Sequence, residues 1–226
     1  MVFFYVLLHF MPKNIDTISQ LIPKLYRFIW ISFAFFILSL VPIVLYDKAF
    51  IHLYLNQFHS TFFDYFFRYL THVGDGLFPA VVLPIVLFLY RKELKLNFTI
   101  GAVTFVLLPL TVQFFKRVVF GKVLRPAGLL GDEVLYLIPD VKMAFVYSFP
   151  SGHSATIFAF FLFLTYVFWE KKSLQIVFAS LAILGAYSRV YLSQHFLQDI
   201  VAGGVLGIVC FFVAAAILQP FFKKET

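Results

Sequence analysis

Long apolar runs separated by short polar segments dominate the sequence from residue 28 onwards. A helix needs about 20 predominantly apolar residues to cross a bilayer. Six runs approach or reach that length and predict six membrane-spanning helices, at residues 28–46, 77–90, 98–115, 151–169, 174–191 and 199–222. The second run is short, which allows its helix to begin earlier.

A different pattern separates the first two runs. In FHSTFFDYFFRYLTHVGDG, residues 58–76, apolar residues recur at helical spacing and are interrupted by Asp64, Arg68 and His72. This predicts an amphipathic helix lying along the outer membrane interface. Gly74 and Gly76 suit a turn into the second span. Such a helix has two equally good interpretations. It either only connects the two spans, or it also borders the route by which a substrate enters.

Composition excludes an ordinary soluble domain. Hydrophobic residues make up 62% of the 226 residues, 33 of them phenylalanine, and mean hydropathy is +0.93. One soluble core could not bury so much apolar surface. We therefore expect an all-α fold, an integral membrane six-helix transmembrane bundle with an amphipathic interfacial helix. Without a repeat or polar linker, residues 1–226 form one domain: an interfacial or cytoplasmic segment, 1–27, and a six-span core, 28–222.

The charge distribution predicts orientation. The formal net charge is +7, but the basic residues lie mostly in short loops, and no nucleic-acid-binding pattern is present. If the basic loop 116–147 serves a site, the remaining Lys and Arg residues predict cytoplasmic N- and C-termini. Loop 116–147 then lies on the extracytoplasmic side. The single cysteine, Cys210, falls in an apolar run and is interpreted as a packing residue.

Three polar stretches then reach the same membrane surface, and the last is SRVYLSQHFLQD, residues 188–199. On a helix His195 and Asp199 share a face, so the carboxylate can fix the tautomer of the imidazole. Alone, this pair is more often a surface ion pair. Arg189 changes the interpretation, because its planar cation suits phosphate.

The second stretch, SFPSGHSAT, predicts the start of a helix. Pro150 suits a first turn, and Ser151 and Gly152 offer a hydroxyl and an unhindered N–H at the positive end of the helix dipole. This is an anion site, with His153 close enough to protonate a leaving oxygen. The alternative is simple capping by Ser148 or Ser151.

The first stretch, KRVVFGKVLRP, supplies Lys116, Arg117, Lys122 and Arg125. Alone, it is equally well a basic patch that touches lipid headgroups. Three anion-binding elements on one face are improbable as scaffold and together indicate a phosphate site.

The three stretches resemble the signature of the type 2 phosphatidic acid phosphatase superfamily. That signature joins a lysine to Arg-Pro, then Pro-Ser-Gly-His, then Ser-Arg with a downstream His and Asp. The last two elements match without a gap at Pro150–His153 and at Ser188, Arg189, His195 and Asp199. The first departs from it, because eight residues instead of six separate Lys116 from Arg125. Either Lys116 or Arg117 fills the first cationic position; we favour Lys116, which ends the third span.

The resemblance implies phosphoryl transfer without a metal or cofactor. His195 would attack phosphorus and form a phosphohistidine, Asp199 would support it, and His153 would protonate the leaving oxygen. The phosphate-binding residues it implies are Lys116, Arg125, Ser151, Gly152 and Arg189.

The implied partners are the bilayer and a lipid phosphate, not nucleic acid. Phosphatidylglycerophosphate, phosphatidic acid, undecaprenyl pyrophosphate and lipid A phosphates all fit, and a bacterial inner membrane is the expected location. The alternatives are a small-solute phosphatase of the glucose-6-phosphatase kind and a non-catalytic lipid-binding or transport protein. Vanadium haloperoxidases share the anion site but are typically soluble, which the apolar runs disfavour. Oligomeric state stays open.

Overall fold

The computed structural model describes residues 18–91 and 93–218. Within these ranges the regular structure is helical, apart from one antiparallel bridge between Leu124 and Val146. The α-helices, numbered in chain order, are α1 (Ile18–Lys24), α2 (Tyr26–Leu45), α3 (Lys48–Leu55), α4 (Thr61–Leu70), α5 (Leu77–Tyr90), α6 (Leu94–Phe114), α7 (Pro126–Leu130), α8 (Gly152–Val167), α9 (Lys172–Tyr191) and α10 (Leu197–Leu218). Two short 3-10 helices, Thr71–Gly74 and Asp132–Val134, and a π-helical turn, Phe115–Val119, lie between them.

Each predicted span coincides with one helix, but only four of the described helices are individually long and apolar enough to cross a membrane. These are α2, α6 with its π-helical extension, α9 and α10. Helix α5 has 14 residues and α8 has 16, which at about 1.5 Å per residue is shorter than the hydrocarbon core. The all-helical membrane fold is confirmed, whereas the count of six spans stays a prediction. Residues 1–17 of the predicted N-terminal segment and residues 219–222 of the sixth span lie outside the described residues.

Helix α8 lies at the centre of the bundle. It packs against α9 and α10 and also contacts α6, and its side chains from Ile157 to Val167 are buried. Phe158 and Phe163 are completely buried in the core. Because protein surrounds this helix, its length does not have to match the thickness of the lipid.

Two glycines on α10 allow α8 to approach closely. A Cβ atom on Gly203 would collide with the carbonyl oxygen of Ser151, and one on Gly207 would collide with that of Ala155. Small residues permit such backbone contact between membrane helices. The N–H of Ser151 also donates to the carbonyl oxygen of Asp199 over 3.0 Å. The start of α8 is thereby held against the start of α10, so that two of the polar stretches lie side by side.

The predicted amphipathic segment forms α4 and the 3-10 helix Thr71–Gly74. Phe62, Tyr65 and Tyr69 are exposed, whereas Phe67 is buried against the bundle. This segment makes an angle of 72° with α5. The helix and the turn after it are therefore confirmed, and the large angle is consistent with the predicted position along the interface.

The two ends of the bundle differ in chemistry. At one end the carbonyl oxygen of Lys24 accepts hydrogen bonds from Lys172 (3.4 Å) and Gln175 (2.8 Å), and the rings of Tyr90 and Phe168 lie 4.9 Å apart. The loops predicted to be cytoplasmic thus meet at this end. The three polar stretches meet at the opposite end, as the predicted topology requires.

Candidate active site

The start of α8 has the geometry of a helix N-terminus that can bind an anion. Ser151 is the N-cap, and its Oγ accepts hydrogen bonds from the N–H (3.3 Å) and the hydroxyl (2.9 Å) of Ser154. Its own hydroxyl proton remains available to a ligand. The first-turn N–H groups of Gly152 and His153 have no carbonyl partner within the helix. Pro150 lies before the N-cap, so its predicted position in the first turn was wrong, although the helix start itself is confirmed.

His195 lies in a tight turn and not on a helix. Helix α9 ends at Tyr191 and α10 begins at Leu197, so the assumption that His195 and Asp199 lie on one helix was wrong. The carbonyl oxygen of Arg189 accepts the N–H groups of both Gln194 (2.9 Å) and His195 (3.0 Å). The turn therefore fixes Arg189 and His195 in position relative to each other.

Asp199 still meets His195, by a different geometry. As the third residue of α10, its Oδ2 accepts the N–H of Phe196 at 3.0 Å, which caps the helix start. The same oxygen lies 3.3 Å from Nδ1 of His195 and accepts the hydroxyl of Ser148. Both His195 and Asp199 are almost completely buried, with 1% and 0% of their surface exposed. The carboxylate thus holds the Nδ1–H tautomer and leaves Nε2 with a lone pair.

The electrostatic environment keeps His195 neutral. Burial lowers the pKa of His195 well below its ordinary value, and the charges of Arg125, Arg189 and Lys116 lower it further. A lowered pKa means that the imidazole is unprotonated at neutral pH. Its Nε2 is therefore nucleophilic, in an environment rich in positive charge.

Arg189 is a buried cation, and one of its N–H groups donates no hydrogen bond among the described residues. Only 7% of its surface is exposed, and its Nη1 donates to Oγ1 of Thr71 over 2.5 Å. Its Nε is buried and has no hydrogen-bond partner among the described residues. A buried guanidinium donor without an acceptor is costly, and an oxyanion in the site would satisfy it.

Lys116, not Arg117, points into the site. Lys116 is 8% exposed and lies close enough to Arg125, Asp199 and Arg189 for their charges to act on it. Arg117 instead donates to Oε1 of Gln113 over 3.0 Å on the exposed side. Both residues lie in the π-helical turn Phe115–Val119, which accommodates an extra residue in a helix. Such a turn accommodates one of the two residues by which the spacing before Arg125 exceeds that of the signature.

Arg125 is fixed by the neighbouring loops. Its Nε donates to the carbonyl oxygen of Val146 (3.0 Å), and its Nη1 donates to that of Gln194 (3.2 Å). Burial lowers its pKa, and the charge of Asp199 opposes that shift. Two of its nitrogens thus hold the first polar stretch against the turn that carries His195.

His153 has a partner that sequence reasoning missed. Its Nε2 lies 2.9 Å from Oδ1 of Asp75, and Oδ2 of the same carboxylate lies 2.7 Å from Nδ1 of His72. Asp75 lies between two glycines at the turn into α5, and this Gly-Asp-Gly sequence is the signal that could have drawn attention to it. Thr71, Ser148 and Gln194 were likewise not predicted as site residues. All eight predicted residues converge at one end of the bundle.

The sequence is similar to those of known proteins. A family model described as the PAP2 superfamily matches residues 92–223, more than half of the chain. The lipid A 4′-phosphatase of Bacteroides thetaiotaomicron is 28% identical over 164 residues, which cover 69% of each protein.

Two solved structures are similar in fold. The crystal structure of Aquifex aeolicus LpxE is 28% identical, with a TM-score of 0.56, and the match covers 73% of this chain and 92% of that one. A PAP2-type phosphatidylglycerolphosphate phosphatase from Bacillus subtilis is 24% identical, with a TM-score of 0.58, covering 89% and 100%. The second likeness shows the fold alone.

Proposed function

We propose that this protein, which belongs to the PAP2 superfamily, removes phosphate from membrane lipids through a phosphohistidine. The observation that carries the proposal is the buried pair of His195 and Asp199, whose neutral imidazole lies among the cations of Lys116, Arg125 and Arg189. A neutral nucleophile in a site that attracts a tetrahedral oxyanion is what phosphoryl transfer to a side chain requires.

In the first step, the lone pair on Nε2 of His195 attacks phosphorus. The bond from phosphorus to the ester or anhydride oxygen breaks, and its electron pair passes to that oxygen. Protonated His153 donates a proton to the leaving oxygen. The Asp199 carboxylate offsets the positive charge that develops on the attacking ring, much as a buried aspartate supports histidine in hydrolytic triads.

In the second step, water attacks the phosphohistidine. His153, now neutral, accepts a proton from that water, and the phosphorus–nitrogen bond breaks. The electron pair returns to Nε2 of His195, and inorganic phosphate leaves. The cycle restores both imidazoles to their starting protonation states.

Fixed donors stabilise the charge that develops on the phosphoryl oxygens. Lys116, Arg125 and the unsatisfied Nε of Arg189 supply positive charge, and Ser151 and the N–H of Gly152 supply hydrogen bonds. Each such donor contributes about 2–4 kcal/mol to transition-state stabilisation. Within residues 18–91 and 93–218, no group of three His, Cys, Asp or Glu side chains is arranged to hold a metal ion. We therefore assign charge neutralisation to these side chains.

An apolar groove next to the site supports a lipid substrate. A cavity of about 400 Å³ lies between α5, α6 and α8. Gly76 and Thr156 line the end of this cavity that lies nearest the site, because Gly76 follows Asp75 and Thr156 lies about one turn after His153. Leu87 and Phe98 line the opposite end. Apart from Thr156, its lining side chains are hydrocarbon. If the phosphate binds at His195, the lipid tail can occupy this apolar cavity, which extends along the helices towards the middle of the bundle.

The substrate class covers phosphate monoesters and pyrophosphates of lipids. The names of the relatives indicate lipid A and phosphatidylglycerophosphate, and phosphatidic acid and undecaprenyl pyrophosphate have the same chemistry. We place the enzyme in a bacterial inner membrane with its site on the extracytoplasmic side. The Lys and Arg distribution and the separation of the two ends of the bundle support this orientation, and the bacterial relatives support this membrane.

A panel of substrates tests the proposal with purified protein. Phosphate release is measured from the four lipid phosphates, from glucose 6-phosphate and from alkyl phosphates of increasing chain length. We expect kcat/KM to rise about three- to fourfold per added methylene, because each buried methylene contributes about 0.8 kcal/mol. A flat chain-length series with good turnover of glucose 6-phosphate would favour a small-solute phosphatase. Absence of turnover of every substrate would favour a non-catalytic protein.

The same assay with a chelator tests whether side chains or a metal ion neutralise the charge of the phosphate. We expect unchanged rates in EDTA, because arginine and lysine side chains neutralise the phosphate. A strict requirement for a divalent cation would contradict that assignment.

The first cationic position is tested by two adjacent lysine and arginine variants. We expect Lys116→Ala to lower kcat/KM on the order of 100-fold, as for loss of one transition-state donor. Arg117→Ala should change it less than about threefold, because exposed ion contacts contribute little. The two variants remove the same charge from neighbouring positions, so each controls for the other. The reverse order of effects would assign the role to Arg117.

A further inference from the structure

Asp75 is the one carboxylate on the α4–α5 connection that reaches a predicted catalytic group. It lies between the 3-10 helix Thr71–Gly74 and α5, where the chain bends by 72°. Its Oδ1 lies 2.9 Å from Nε2 of His153, and its Oδ2 lies 2.7 Å from Nδ1 of His72. Both carboxylate oxygens are thus used by imidazoles, and the resemblance that identifies the other site residues assigns no role to Asp75.

The surrounding packing fixes the contact between Asp75 and His153. A Cβ atom on Gly74 would lie 2.9 Å from Cβ and 3.0 Å from Cδ2 of His153. Glycine therefore allows this backbone to lie directly against the Cβ and Cδ2 atoms of His153. The same short helix carries Thr71, whose hydroxyl accepts a hydrogen bond from Arg189. One connecting segment thus contacts both a predicted catalytic residue and a predicted phosphate-binding residue.

We propose that Asp75 is a positioning residue that orients His153 and favours the protonated form of its ring, from which the leaving oxygen takes a proton. This inference rests on the proposed function. In the charged form, Nε2–H of His153 donates to Asp75, and the carboxylate offsets the charge of the ring. The other ring nitrogen, Nδ1, is not engaged by Asp75 and carries the proton that moves to the leaving oxygen.

The proton balance follows from this arrangement. When the bond to the leaving oxygen breaks, the proton on Nδ1 passes to that oxygen, and His153 becomes neutral with Nε2–H still bonded to Asp75. In the second step Nδ1 takes a proton back from the attacking water. Asp75 keeps its negative charge throughout, as an orienting carboxylate does in hydrolytic triads. His72 holds the second carboxylate oxygen and thereby restricts rotation of Asp75.

The test compares two substrates that differ in their need for an acid. A para-nitrophenolate leaves readily without a proton, whereas an alkoxide does not. We expect Asp75→Asn to lower kcat/KM for octyl phosphate on the order of 100-fold, the size of a general-acid contribution. For para-nitrophenyl phosphate the loss should be less than about fivefold. Asp75→Glu, which retains a carboxylate, should restore part of the octyl phosphate rate.

A matched carboxylate on the same segment provides the control. Asp64 on α4 accepts hydrogen bonds from Tyr136 and Tyr191, so Asp64→Asn removes a structural carboxylate and should affect both substrates equally. Equal losses on the two substrates for Asp75→Asn, or no loss, would overturn the inference. If Asp75→Asn does not fold, His72→Gln is measured with octyl phosphate and para-nitrophenyl phosphate. We expect a loss of activity on octyl phosphate only, and an equal loss on both substrates would overturn the inference. Wild-type protein inactive on both esters and on the lipid panel would instead refute the proposed function.

Discussion

Replacing His195 with alanine is expected to lower phosphate release by at least about 10⁴-fold, the scale on which loss of a catalytic nucleophile acts. The reason is that no other described imidazole lies against Asp199, so the attacking lone pair on Nε2 has no substitute. Radiolabelled substrate quenched with alkali should leave phosphate on the wild-type protein as an acid-labile phosphohistidine. The alanine variant should carry no such label. Rapid quench at short times measures both quantities.

His52 provides a matched control for the loss of a buried imidazole. It is 1% exposed and its Nε2 lies 3.1 Å from Oγ of Ser193, two residues before the proposed nucleophile. His52→Ala therefore removes a ring of the same size from the same end of the bundle. It should retain the labelled intermediate even if its stability falls. A His195→Ala protein that still forms a labelled intermediate, or retains more than about 1% of turnover, would contradict the nucleophile assignment.

The parts of the site that depend on consecutive residues could be predicted from sequence. Ser151, Gly152 and His153 form a helix start, and the chemistry of such a start is local: a cap, unpaired N–H groups and a favourable dipole. Apolar runs predicted the helices for a similar reason, because the bilayer imposes length and composition on each one separately. The pairing of His195 with Asp199 was predicted from a shared helix face, and it is found because Asp199 lies in the first turn of α10, directly after the turn that carries His195.

The parts of the site that depend on tertiary contacts could not be predicted from sequence. Asp75 is 78 residues from His153 in sequence, and only the packing of Gly74 against the imidazole brings them together. The choice between Lys116 and Arg117 depends on the π-helical turn, which rotates the two side chains by an amount that residue spacing does not reveal. The helix predicted through His195 fails because Asp199 caps a new helix start at Phe196, and a capping hydrogen bond competes with continuation of the preceding helix.

Loss of Arg189 is expected to have the second largest effect. Arg189→Ala should lower kcat/KM on the order of 10³-fold, because it removes a buried charge together with a donor aimed at the phosphoryl oxygens. Arg189→Lys should recover only part of this loss, since an ammonium group lacks the planar fork that contacts two oxygens. Vanadate, a tetrahedral oxyanion, should inhibit the wild-type protein and bind both variants more weakly. The inhibition constant for vanadate should therefore rise in proportion as kcat/KM falls.

Binding can be separated from folding by thermal unfolding with and without vanadate, since a ligand that binds only the native state raises the midpoint. Wild-type protein should be stabilised, and Arg189→Ala should not. Arg68, at the same end of the bundle, donates to the carbonyl oxygen of Pro139 over 3.3 Å, and Arg68→Ala should keep the vanadate shift. Thr71→Val removes the partner of Arg189 but leaves the guanidinium and should lose less than about tenfold in kcat/KM. If Arg189→Ala retained the full vanadate shift, the cation would hold the fold and not the phosphate, and the oxyanion site would have to be built from Lys116 and Arg125 alone.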